Sequence, residues 1–362
     1  MSDRIYVCHT FYHVYVACLK EFYIGDGGKA SLILSKMSNK FGSMAERARK
    51  SDIFDEVFEY DEKEDTFFPQ LKRFKTDTGS IVKNMLNRIR FCKLFGQLQE
   101  QYVPVDFGKY KDIYVFCDSD PIGYYLNYKK IRYHAVEDGL DCIKYYDTAR
   151  YDNRGHFKLK AFFAKLGLIF IQNGYGRYCI DMEVNNISAL PYPCDKYVEL
   201  PRKTLTGRLT QDEKNKMLEL FLEDAGSVRQ KVFGRDLPEK KVPKLLVLSE
   251  PLCDLDTRKK IFEDIIDTYG TIDGEKATVI IKQHPRDLLD YEKNFPEAVL
   301  LSGSFPMEMM MFMEGLYFDR LVSVYTVIDT LDIAKEKIYL GDDFMDKYEA
   351  PEIHRQNEFI TD

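Results

Sequence analysis

Residues 278–287 combine a strongly apolar run with a polar turn whose side chains could carry acid–base chemistry. The segment reads Thr-Val-Ile-Ile-Lys-Gln-His-Pro-Arg-Asp, and its β-favouring residues predict a strand that is buried on both faces. His284 then lies at the carboxyl end of that strand, where open α/β sheets bind ligands, and Pro285 fixes the turn that presents the imidazole. A capping histidine in an ordinary strand-to-helix loop is the alternative interpretation.

A second candidate site lies upstream, where residues 131–139 read Ile-Arg-Tyr-His-Ala-Val-Glu-Asp-Gly. The pattern predicts the last strand of an N-terminal sheet, and this strand ends in the carboxylates of Glu137 and Asp138. Because neighbouring residues of an extended chain point in opposite directions, one carboxylate can face a ligand while the other braces the loop. Gly139 permits an unusual backbone angle or the close approach of a ligand. The same tripeptide is also common in plain turns.

Length and composition restrict the class of protein that carries these two motifs. The chain has 362 residues, 45% hydrophobic and 31% charged, which predicts a soluble globular protein of two domains. A net charge of −7 argues against a general nucleic-acid binder. The sequence shows neither a leader peptide nor a membrane-spanning run, so a cytoplasmic location is expected. The eight cysteines form no C-x-x-C pair, and neither a metal site nor a cofactor is predicted.

An alternation of strand and helix patterns predicts an α/β protein in two parts. The chain opens as strand, turn and helix without G-x-G-x-x-G, and the rhythm restarts near residue 245. With no metal or dinucleotide fingerprint, this organisation favours a nucleotide-sugar glycosyltransferase of the GT-B type, in which two Rossmann-like domains face each other across a cleft that holds the active site. We expect an N-terminal, acceptor-side Rossmann-like domain at residues 1–200, a linker region with a helix at 201–243, a C-terminal nucleotide-binding Rossmann-like domain at 244–340, and a tail at 341–362 that could cross back to the first domain.

Two turns in the second predicted domain fit a nucleotide. The segment from Ser302 to Glu308 follows a strand and opens a helix, so its backbone N–H groups and its first-turn carboxylate could hold a phosphate and a ribose. The segment Ser323–Thr326 places hydroxyls between a strand and a helix predicted from Thr326 to Ala334, which is a suitable cradle for a phosphate. Plain capping chemistry is the alternative at both turns.

Two basic and apolar stretches stand apart from these motifs. Residues 71–93 hold seven Lys or Arg against one Asp, and the helical spacing of their apolar residues predicts an amphipathic helix. Residues 156–170 repeat the combination with three lysines and with the apolar residues Phe162, Phe163 and Leu166. Each stretch is interpreted either as a solvated face or as a contact with a membrane surface or an anionic glycolipid.

Taken in chain order, the motifs resemble those of bacterial sialyltransferases, which carry an acidic-acidic-glycine motif, a His-Pro motif and a Ser/Thr motif. Here these are Glu137-Asp138-Gly139, Lys282-Gln283-His284-Pro285 with Pro306-x-Glu308, and Ser323 with Thr326. The opening Cys8-His9-Thr10-Phe11-Tyr12-His13 is similar to the start of the lipooligosaccharide sialyltransferase family, which more often has proline where Phe11 stands. Ser323 and Thr326 also depart from the family's compact adjacent pair.

The resemblance implies an inverting, metal-independent transfer of sialic acid from CMP-sialic acid to a hydroxyl of a cell-surface glycan of lipooligosaccharide or capsule type. Asp138 would be the general base, and His284 would bind the phosphate as an imidazolium and act as general acid. The residues predicted to bind the nucleotide are Lys282, Pro285, Ser302, Gly303, Glu308, Ser323 and Thr326. Those predicted to contact substrate are Thr10, His13, Glu137, Gly139 and Asp118.

Several alternatives remain open from the sequence. A GT-B enzyme that uses another nucleotide-activated sugar or a polyol phosphate would keep His284 without requiring Asp138. A catalytically inactive homologue would be a glycan-binding module. The expected partners are the CMP-sialic acid donor and a glycan acceptor, with no nucleic acid and no cofactor. Peripheral contact with the inner face of the membrane and a homodimer are further options.

Overall fold

The structure is a computed structural model that describes residues 3–37, 40–116, 118, 121–139, 142–146, 153–234 and 241–354. The chain divides into two compact units, Met1–Thr210 and Gln211–Gln356. This division falls within the stretch predicted as a linker. Residues 235–240 of that stretch, and residues 355–362 of the predicted tail, lie outside the described residues. Each unit is built on a parallel sheet with helices, which confirms the predicted α/β class.

The first unit contains a parallel sheet with the order β3-β2-β1-β4-β5-β6-β7, counted over the residues that the structure describes. Its strands are β1 (Arg4–Cys8), β2 (Ala30–Ser35), β3 (Phe54–Tyr60), β4 (Asp112–Phe116), β5 (Tyr133–Val136), β6 (Cys179–Val184) and β7 (Tyr197–Glu199). Its helices are α1 (Phe11–Ile24), α2 (Met44–Lys50), α3 (Ile81–Gln99), α4 (Ile122–Lys129), α5 (Phe157–Lys165) and α6 (Arg202–Thr206), with short 3-10 turns at Asp65–Phe67, Pro69–Phe74, Phe107–Lys109 and Ile187–Ala189.

The burial of each strand explains why some strands of this sheet can be predicted from the sequence and others cannot. Strands β1 and β2 are buried along their whole length, as continuous apolar runs predict. The strand that carries the acidic motif is not the last of the sheet, because β6 and β7 follow it. Strand β6 alternates buried and partly exposed residues and contains two acids, so its sequence lacks the apolar run of a central strand. Helix α4 covers the centre of the sheet, where Ile122 and Leu126 join the core formed by Val7 and Val115.

The second unit contains a parallel sheet with the order β12-β11-β8-β13-β14, again over the described part of the chain. Its strands are β8 (Lys244–Leu248), β11 (Thr278–Lys282), β12 (Val299–Leu301), β13 (Phe318–Ser323) and β14 (Ala334–Tyr339), and β9 (Thr271–Ile272) pairs with β10 (Glu275–Lys276) as a separate hairpin. Its helices are α7 (Gln211–Phe221), α8 (Ala225–Phe233), α9 (Leu255–Tyr269), α10 (Tyr291–Asn294), α11 (Gly341–Met345) and α12 (Pro351–His354), with a 3-10 turn at Met307–Phe312.

Three predicted helices differ from those observed. The helix predicted to open within Ser302–Glu308 is a 3-10 turn at Met307–Phe312. The helix predicted from Thr326 to Ala334 is not formed, because Ala334 already pairs with Phe318 as the first residue of β14 and the residues before it form turns. The basic helix predicted at residues 71–93 begins only at Ile81. Gly79 interrupts it with a left-handed φ of 71°, and its N–H donates to Asp77 Oδ1 at 2.9 Å. In the described part of the chain, no helix has both the length and the apolar character that crossing a membrane requires.

Candidate functional site

The carboxyl edge of the first sheet brings His13 and Asp138 into contact, although 125 positions separate them in the chain. His13 Nε2 lies 2.7 Å from Asp138 Oδ1, and His13 Nδ1 lies 3.0 Å from the backbone N of His9. Because that N–H donates to Nδ1, the proton of the neutral ring is on Nε2 and is donated to the carboxylate. The side chain of His13 is 2% exposed, whereas that of Asp138 is 30% exposed. His13 therefore holds a carboxylate that solvent can still reach.

Three strand ends position the His13 ring. The residue lies in the first turn of α1, whose N-cap Thr10 accepts from the His13 N–H at 3.1 Å. One face of the ring stacks on Phe116, at the end of β4, with centroids 4.1 Å apart and planes within 3°. Asp138 follows β5 on the far side of β4. Thr10 and His13, predicted to contact substrate, thus act here as a cap and as the donor to Asp138.

A buried network beneath His13 was not predicted from the sequence. Glu62 follows β3, and its Oε2 accepts from Ser35 Oγ and lies 2.6 Å from His9 Nε2. Its Oε1 accepts from the Ile122 N–H at 3.0 Å, so the carboxylate also satisfies a backbone group at the start of α4. The network joins the ends of β1, β2 and β3 to the residue whose N–H fixes His13. The sequence signal that could have indicated it is weak, because it is only the acidic pair Asp61-Glu62 directly after a strand.

Glu137 and Asp138 divide their roles as the alternation of an extended chain predicts. Glu137 is buried, and its Oε2 accepts from the backbone N–H of Asn185 at 2.5 Å. Its backbone carbonyl accepts from Arg202 Nη2 at 3.0 Å. Burial raises the pKa of the Glu137 carboxyl, against the opposing effect of the Asn185 hydrogen bond. Glu137 therefore braces the loop, and Asp138 is the accessible carboxylate of the pair.

Two other predicted substrate contacts have different positions. Asp118 is fully buried, and its Oδ2 accepts from Tyr133 Oη at 3.1 Å and from the Gly174 N–H at 3.0 Å. These bonds tie the end of β4 to β5 and to the segment before β6, so Asp118 supports the fold rather than facing a substrate. Gly139 is partly exposed, and a Cβ added to it would meet no atom within 4 Å. There is open space beside the Asp138 backbone.

In the second unit, His284 lies at the carboxyl end of β11 as predicted. Its N–H donates to Ser249 Oγ at 3.0 Å, and its Nδ1 accepts from the Arg286 N–H at 3.1 Å, which leaves the ring proton on Nε2. Burial, followed by the positive charge of Arg286, lowers the pKa of His284 to about 4. Without a bound anion the ring is therefore neutral near neutral pH, because a partly buried histidine beside two cations is costly to charge; the imidazolium expected beside the phosphate stays a prediction.

The turn that carries His284 is anchored by a buried ion pair missed at the sequence level. Arg258 Nη1 lies 2.5 Å from Asp287 Oδ1, and both side chains are almost fully buried. Asp287 Oδ2 accepts from Ser249 Oγ at 2.8 Å and from Tyr291 Oη at 2.7 Å. The sequence shows Asp287 three residues after His284, but it does not indicate which residues Asp287 contacts. This network fixes the orientation of the His284 backbone.

The predicted nucleotide turn after β12 packs directly on the His-Pro turn. A Cβ on Gly303 would lie 2.9 Å from Pro285 N and 3.0 Å from Gln283 O, so only glycine fits there. Lys282 is buried below both turns, where its Nζ donates to Ser302 O at 2.7 Å and Gln283 O at 3.2 Å and lies 4.2 Å from the Phe305 ring centroid. Lys282, predicted to bind the nucleotide, therefore holds the two turns together from inside.

Burial also shifts the pKa values of the charged groups around the turn after β12. It lowers the pKa of Lys282 to about 7, although the nearby Glu308 carboxylate acts in the opposite direction. Burial likewise raises the pKa of the partly exposed Glu308, which stands in the 3-10 turn that follows. Pro285 and Ser302 are exposed, and the Ser302 hydroxyl donates to Ser304 Oγ at 2.8 Å. In the paired turns Pro285, Ser302 and Ser304 are therefore exposed and His284 is partly exposed, while the Ser304 N–H donates to Ser302 Oγ at 3.1 Å.

The predicted phosphate cradle after β13 already holds a carboxylate. Glu250, which follows β8, accepts from the N–H groups of Val324 at 3.2 Å, Tyr325 at 3.0 Å and Thr326 at 3.0 Å. Ser323 is fully buried, and its hydroxyl donates to Thr326 O at 2.8 Å. The predicted hydroxyl contacts to phosphate are therefore not formed in this arrangement. No helix starts at this turn, so no helix N-terminus supplies further N–H donors. Glu250 reaches the turn because β8, which it follows, lies next to β13.

Burial raises the pKa of Glu250, against the opposing effect of its backbone hydrogen bonds.

Among the residues that the structure describes, no group of three or more His, Cys, Asp or Glu side chains is placed to hold a metal ion. The candidate site therefore consists of Asp138 with His13 in the first unit, and of the paired turns around His284 and Gly303 in the second.

Comparison with known proteins finds similarity in sequence family and in fold. A family model described as Glycosyltransferase family 52 matches residues 52–339, which is well over half of the chain. None of the curated proteins matches the chain. The solved α/β-galactoside α-2,3-sialyltransferase of the luminous marine bacterium Photobacterium phosphoreum aligns with 98% of this chain and 95% of its own, at 10% identity and a TM-score of 0.50.

Two more distant solved structures cover 90% of this chain at 10% identity and a TM-score of 0.44. They are the GT-B domain of a Photobacterium damselae sialyltransferase, of which 86% is covered, and a UDP-GlcNAc 2-epimerase from Neisseria meningitidis, of which 78% is covered. The alignment over the whole Photobacterium phosphoreum enzyme confirms the predicted GT-B fold.

Proposed function

This chain belongs to glycosyltransferase family 52 and is therefore a glycosyltransferase, and we propose that it transfers sialic acid from CMP-sialic acid to a hydroxyl of a cell-surface glycan with inversion at the anomeric carbon. The observation that carries this proposal is the accessible Asp138 carboxylate, which a buried His13 holds at the carboxyl edge of the first sheet. A general base has to be both fixed in direction and open to its substrate, and Asp138 meets both conditions.

In the acceptor half of the reaction, the hydroxyl oxygen of the glycan attacks the anomeric carbon while Asp138 takes the hydroxyl proton. The hydrogen bond from His13 Nε2 to Oδ1 fixes the direction of the Asp138 carboxylate. His13 keeps its own proton, because its Nδ1 already accepts from the His9 N–H. Open space beside Gly139 leaves room for the acceptor to approach.

In the donor half, the bond between the anomeric carbon and the phosphate oxygen breaks, and CMP leaves with the bonding electrons. The Nε2–H of His284 is proposed to donate a hydrogen bond to that phosphate. The anion would favour the charged ring and raise its pKa above the low value in the ligand-free chain, so that a ring protonated at both nitrogens, which gives up the Arg286 N–H bond to Nδ1, can act as the general acid. The backbone N–H groups of Ser302 and Gly303 and the Glu308 carboxylate are proposed to hold the nucleotide.

The remaining members of the predicted set have supporting roles in this proposal. Lys282 keeps the two donor-side turns together, and Ser323 with Thr326 holds the Glu250 turn. No cofactor is required beyond the donor itself. The acceptor is proposed to be a lipooligosaccharide or capsule glycan, reached on the cytoplasmic side of the membrane.

A donor-selectivity assay tests the proposal. Purified protein is given CMP-sialic acid, UDP-sugars and a CDP-polyol with a galactose-terminated acceptor, and products are separated by mass. Melting temperatures are measured with CMP, CDP, UDP and GDP, since a ligand at 100 times its Kd adds about 2.7 kcal/mol of stability. We expect transfer from CMP-sialic acid and the largest stabilisation from CMP. A larger shift with UDP or GDP would replace the donor assignment, and CMP binding without transfer would favour an inactive binding module.

A further inference from the structure

Three tyrosine side chains meet on the surface of the first unit. Tyr192 is 44% exposed, and Tyr145 and Tyr146 are partly exposed. The centroid of the Tyr192 ring lies 5.4 Å from that of Tyr146 and 6.4 Å from that of Tyr145. Lys144 Nζ lies 5.5 Å from the centroid of the Tyr145 ring. These three tyrosines and Lys144 are called the tyrosine platform below.

The tyrosine platform follows closely on the loop of the proposed base. The Cys142 N–H donates to Gly139 O at 3.1 Å, and such a bond between residues three apart brings their Cα atoms within about 7 Å. Ile143 is 1% exposed and belongs to the core of the first unit, so the chain is anchored again just beyond this bond. Even a fully extended chain from Cys142 to Tyr145 spans at most about 11 Å. Tyr145 therefore lies within about 18 Å of the residue next to Asp138.

Contacts on its inner side hold the tyrosine platform in place. The Tyr146 ring packs on that of the buried Phe157, with centroids 4.4 Å apart. The Tyr146 carbonyl accepts from Asn153 Nδ2 at 3.1 Å, and the Cys142 carbonyl accepts from Asn173 Nδ2 at 2.9 Å. The segment from Cys142 to Tyr146 is thus fixed at both ends. A ligand that binds rings already held in place loses little affinity to the ordering of side chains.

The chemistry of these side chains matches that of a neutral sugar. A tyrosine ring offers an apolar face and, at its tip, a hydroxyl that can both donate and accept a hydrogen bond. A pyranose ring offers the complement, because it carries C–H groups on its faces and hydroxyls around its edge. The ammonium of Lys144 can donate to such hydroxyls as well. Apolar faces with hydrogen-bonding groups beside them therefore suit a ligand that carries both.

A nucleobase can also stack on tyrosine, but the turns proposed to hold the nucleotide belong to the second unit, whereas the tyrosine platform and Asp138 belong to the first. The acceptor hydroxyl has to reach Asp138, so the sugars attached behind that hydroxyl are the part of the substrates that the first unit has to bind. We propose that the tyrosine platform binds the neutral hexose units of the acceptor glycan that adjoin the one receiving the sialic acid. This inference rests on the proposed function, but sugar binding can be measured without transfer.

Isothermal titration calorimetry measures this binding directly. The full chain, with and without CMP, is titrated with a galactose-terminated neutral tetrasaccharide and with galactose, and we expect the tetrasaccharide to bind more tightly. Tyr192→Ala and Tyr145→Ala should each weaken tetrasaccharide binding by about tenfold, because each removes one contact between a ring and a sugar face. Tyr192→Phe keeps the ring and should retain most of the affinity. Equal affinities of the parent and Tyr192→Ala, or no binding by the parent in either condition, would overturn the proposal.

Transfer kinetics with CMP-sialic acid separate sugar binding from the reaction itself. Tyr192→Ala should raise KM for the tetrasaccharide by about tenfold. Its kcat, its CMP affinity and its KM for galactose should stay close to those of the parent, because galactose alone does not reach the tyrosine platform. Tyr317→Ala is the matched control, since it removes a 51% exposed tyrosine of the second unit and should change none of these values. A fall in kcat with an unchanged tetrasaccharide KM would contradict a role in sugar binding.

The sugar-binding proposal and the proposed function fail in different ways. Tetrasaccharide binding that Tyr192→Ala weakens, with no transfer from any donor, would remove sialyl transfer and keep the tyrosine platform as a sugar site. Transfer by the parent with the same tetrasaccharide KM in Tyr192→Ala would remove the sugar site and keep the reaction. All variants should melt like the parent, as expected for positions at the surface. A dimer in sedimentation that the platform variants alone dissociate would show that the tyrosines join two copies of the chain, and would overturn the assignment to sugar.

Discussion

His13 Nε2 donates to Asp138 Oδ1 across 2.7 Å, while the Nδ1 atom of the same ring accepts from the His9 backbone. Both ring nitrogens are therefore occupied in a single tautomer. A ring fixed in this way orients the carboxylate but has no vacant nitrogen with which to pass a proton onward. His13 is thus a positioning residue for Asp138 and not a second base.

Removal of the His13 donor should slow transfer without weakening the binding of CMP. For His13→Phe we expect a fall in transfer rate of about 10- to 100-fold, because Asp138 loses its orientation. The acid limb of the pH–rate profile should also move to higher pH, since the ionised carboxylate loses a hydrogen bond. His13→Gln, whose amide can donate, should recover part of the rate. Equal rates for the parent and His13→Phe would contradict the positioning role.

The two adjacent carboxylates should respond differently to amidation. Asp138→Asn keeps the shape but cannot accept the proton, so transfer should fall by about 10²–10⁴-fold with CMP affinity nearly unchanged. Glu137→Gln retains an oxygen that can accept from the Asn185 N–H and should stay active. An active Asp138→Asn beside an inactive Glu137→Gln would move the base to Glu137.

Because Glu137 is buried, we expect the free energy of unfolding to depend on pH differently in the parent and in Glu137→Gln. Its folded-state pKa is raised by burial, so the native state retains a proton that the unfolded state has already lost. This contribution to the free energy of unfolding decreases as pH rises through the folded pKa. Chemical unfolding of the parent and of Glu137→Gln from about pH 4 to pH 8 should show a steeper decline for the parent. Parallel curves would contradict the burial effect.

The His284 ring should titrate with a pKa near 4 in the ligand-free protein and at a higher pH with CMP bound. The phosphate anion favours the charged ring, whereas burial and Arg286 oppose it. Nitrogen-15 NMR of the imidazoles, with His284→Ala to assign the signal, measures both values. His284→Ala should also weaken CMP binding. A free value near 6.5, or no change on adding CMP, would argue against contact with the phosphate.

Glu250 should matter for stability rather than for nucleotide affinity. In Glu250→Ala the N–H groups of Val324, Tyr325 and Thr326 lose their shared acceptor, which should cost about 1–3 kcal/mol and lower the melting temperature. Glu250→Gln keeps one acceptor oxygen and should lose less. CMP affinity should stay within a few-fold of the parent. A tenfold tighter binding of CMP by Glu250→Ala would mean that the phosphate occupies this turn after all.

Transfer should persist in EDTA. The proposed charge stabilisation comes from the His284 N–H and from the backbone N–H groups of Ser302 and Gly303, so it requires no divalent cation. The measurement is the initial transfer rate with excess chelator and after adding magnesium or manganese. Loss of activity in EDTA that either metal restores would contradict this prediction.

Local patterns were sufficient for the motifs that end a strand. The apolar run before His284 and the extended segment before Glu137 placed both at sheet edges, as the structure has them. Residues that act from elsewhere in the chain escaped prediction. Glu250 and Ser249 contact turns 35 to 76 positions away because β8 lies between β11 and β13, and that neighbourhood is a property of sheet order.

The sequence by itself determined the α/β class, the buried strands and the identity of Asp138 and His284 as chemically capable side chains. These follow from short-range rules: apolar runs form central strands, and polar residues just beyond them lie at the carboxyl edge. Tertiary structure decided which carboxylate stays accessible, that His13 donates to it, that His284 is neutral, and that Glu250 occupies the turn predicted for phosphate. Each of these depends on burial and on partners from distant strands, because a hydrogen bond or a pKa is set by what surrounds a group in space.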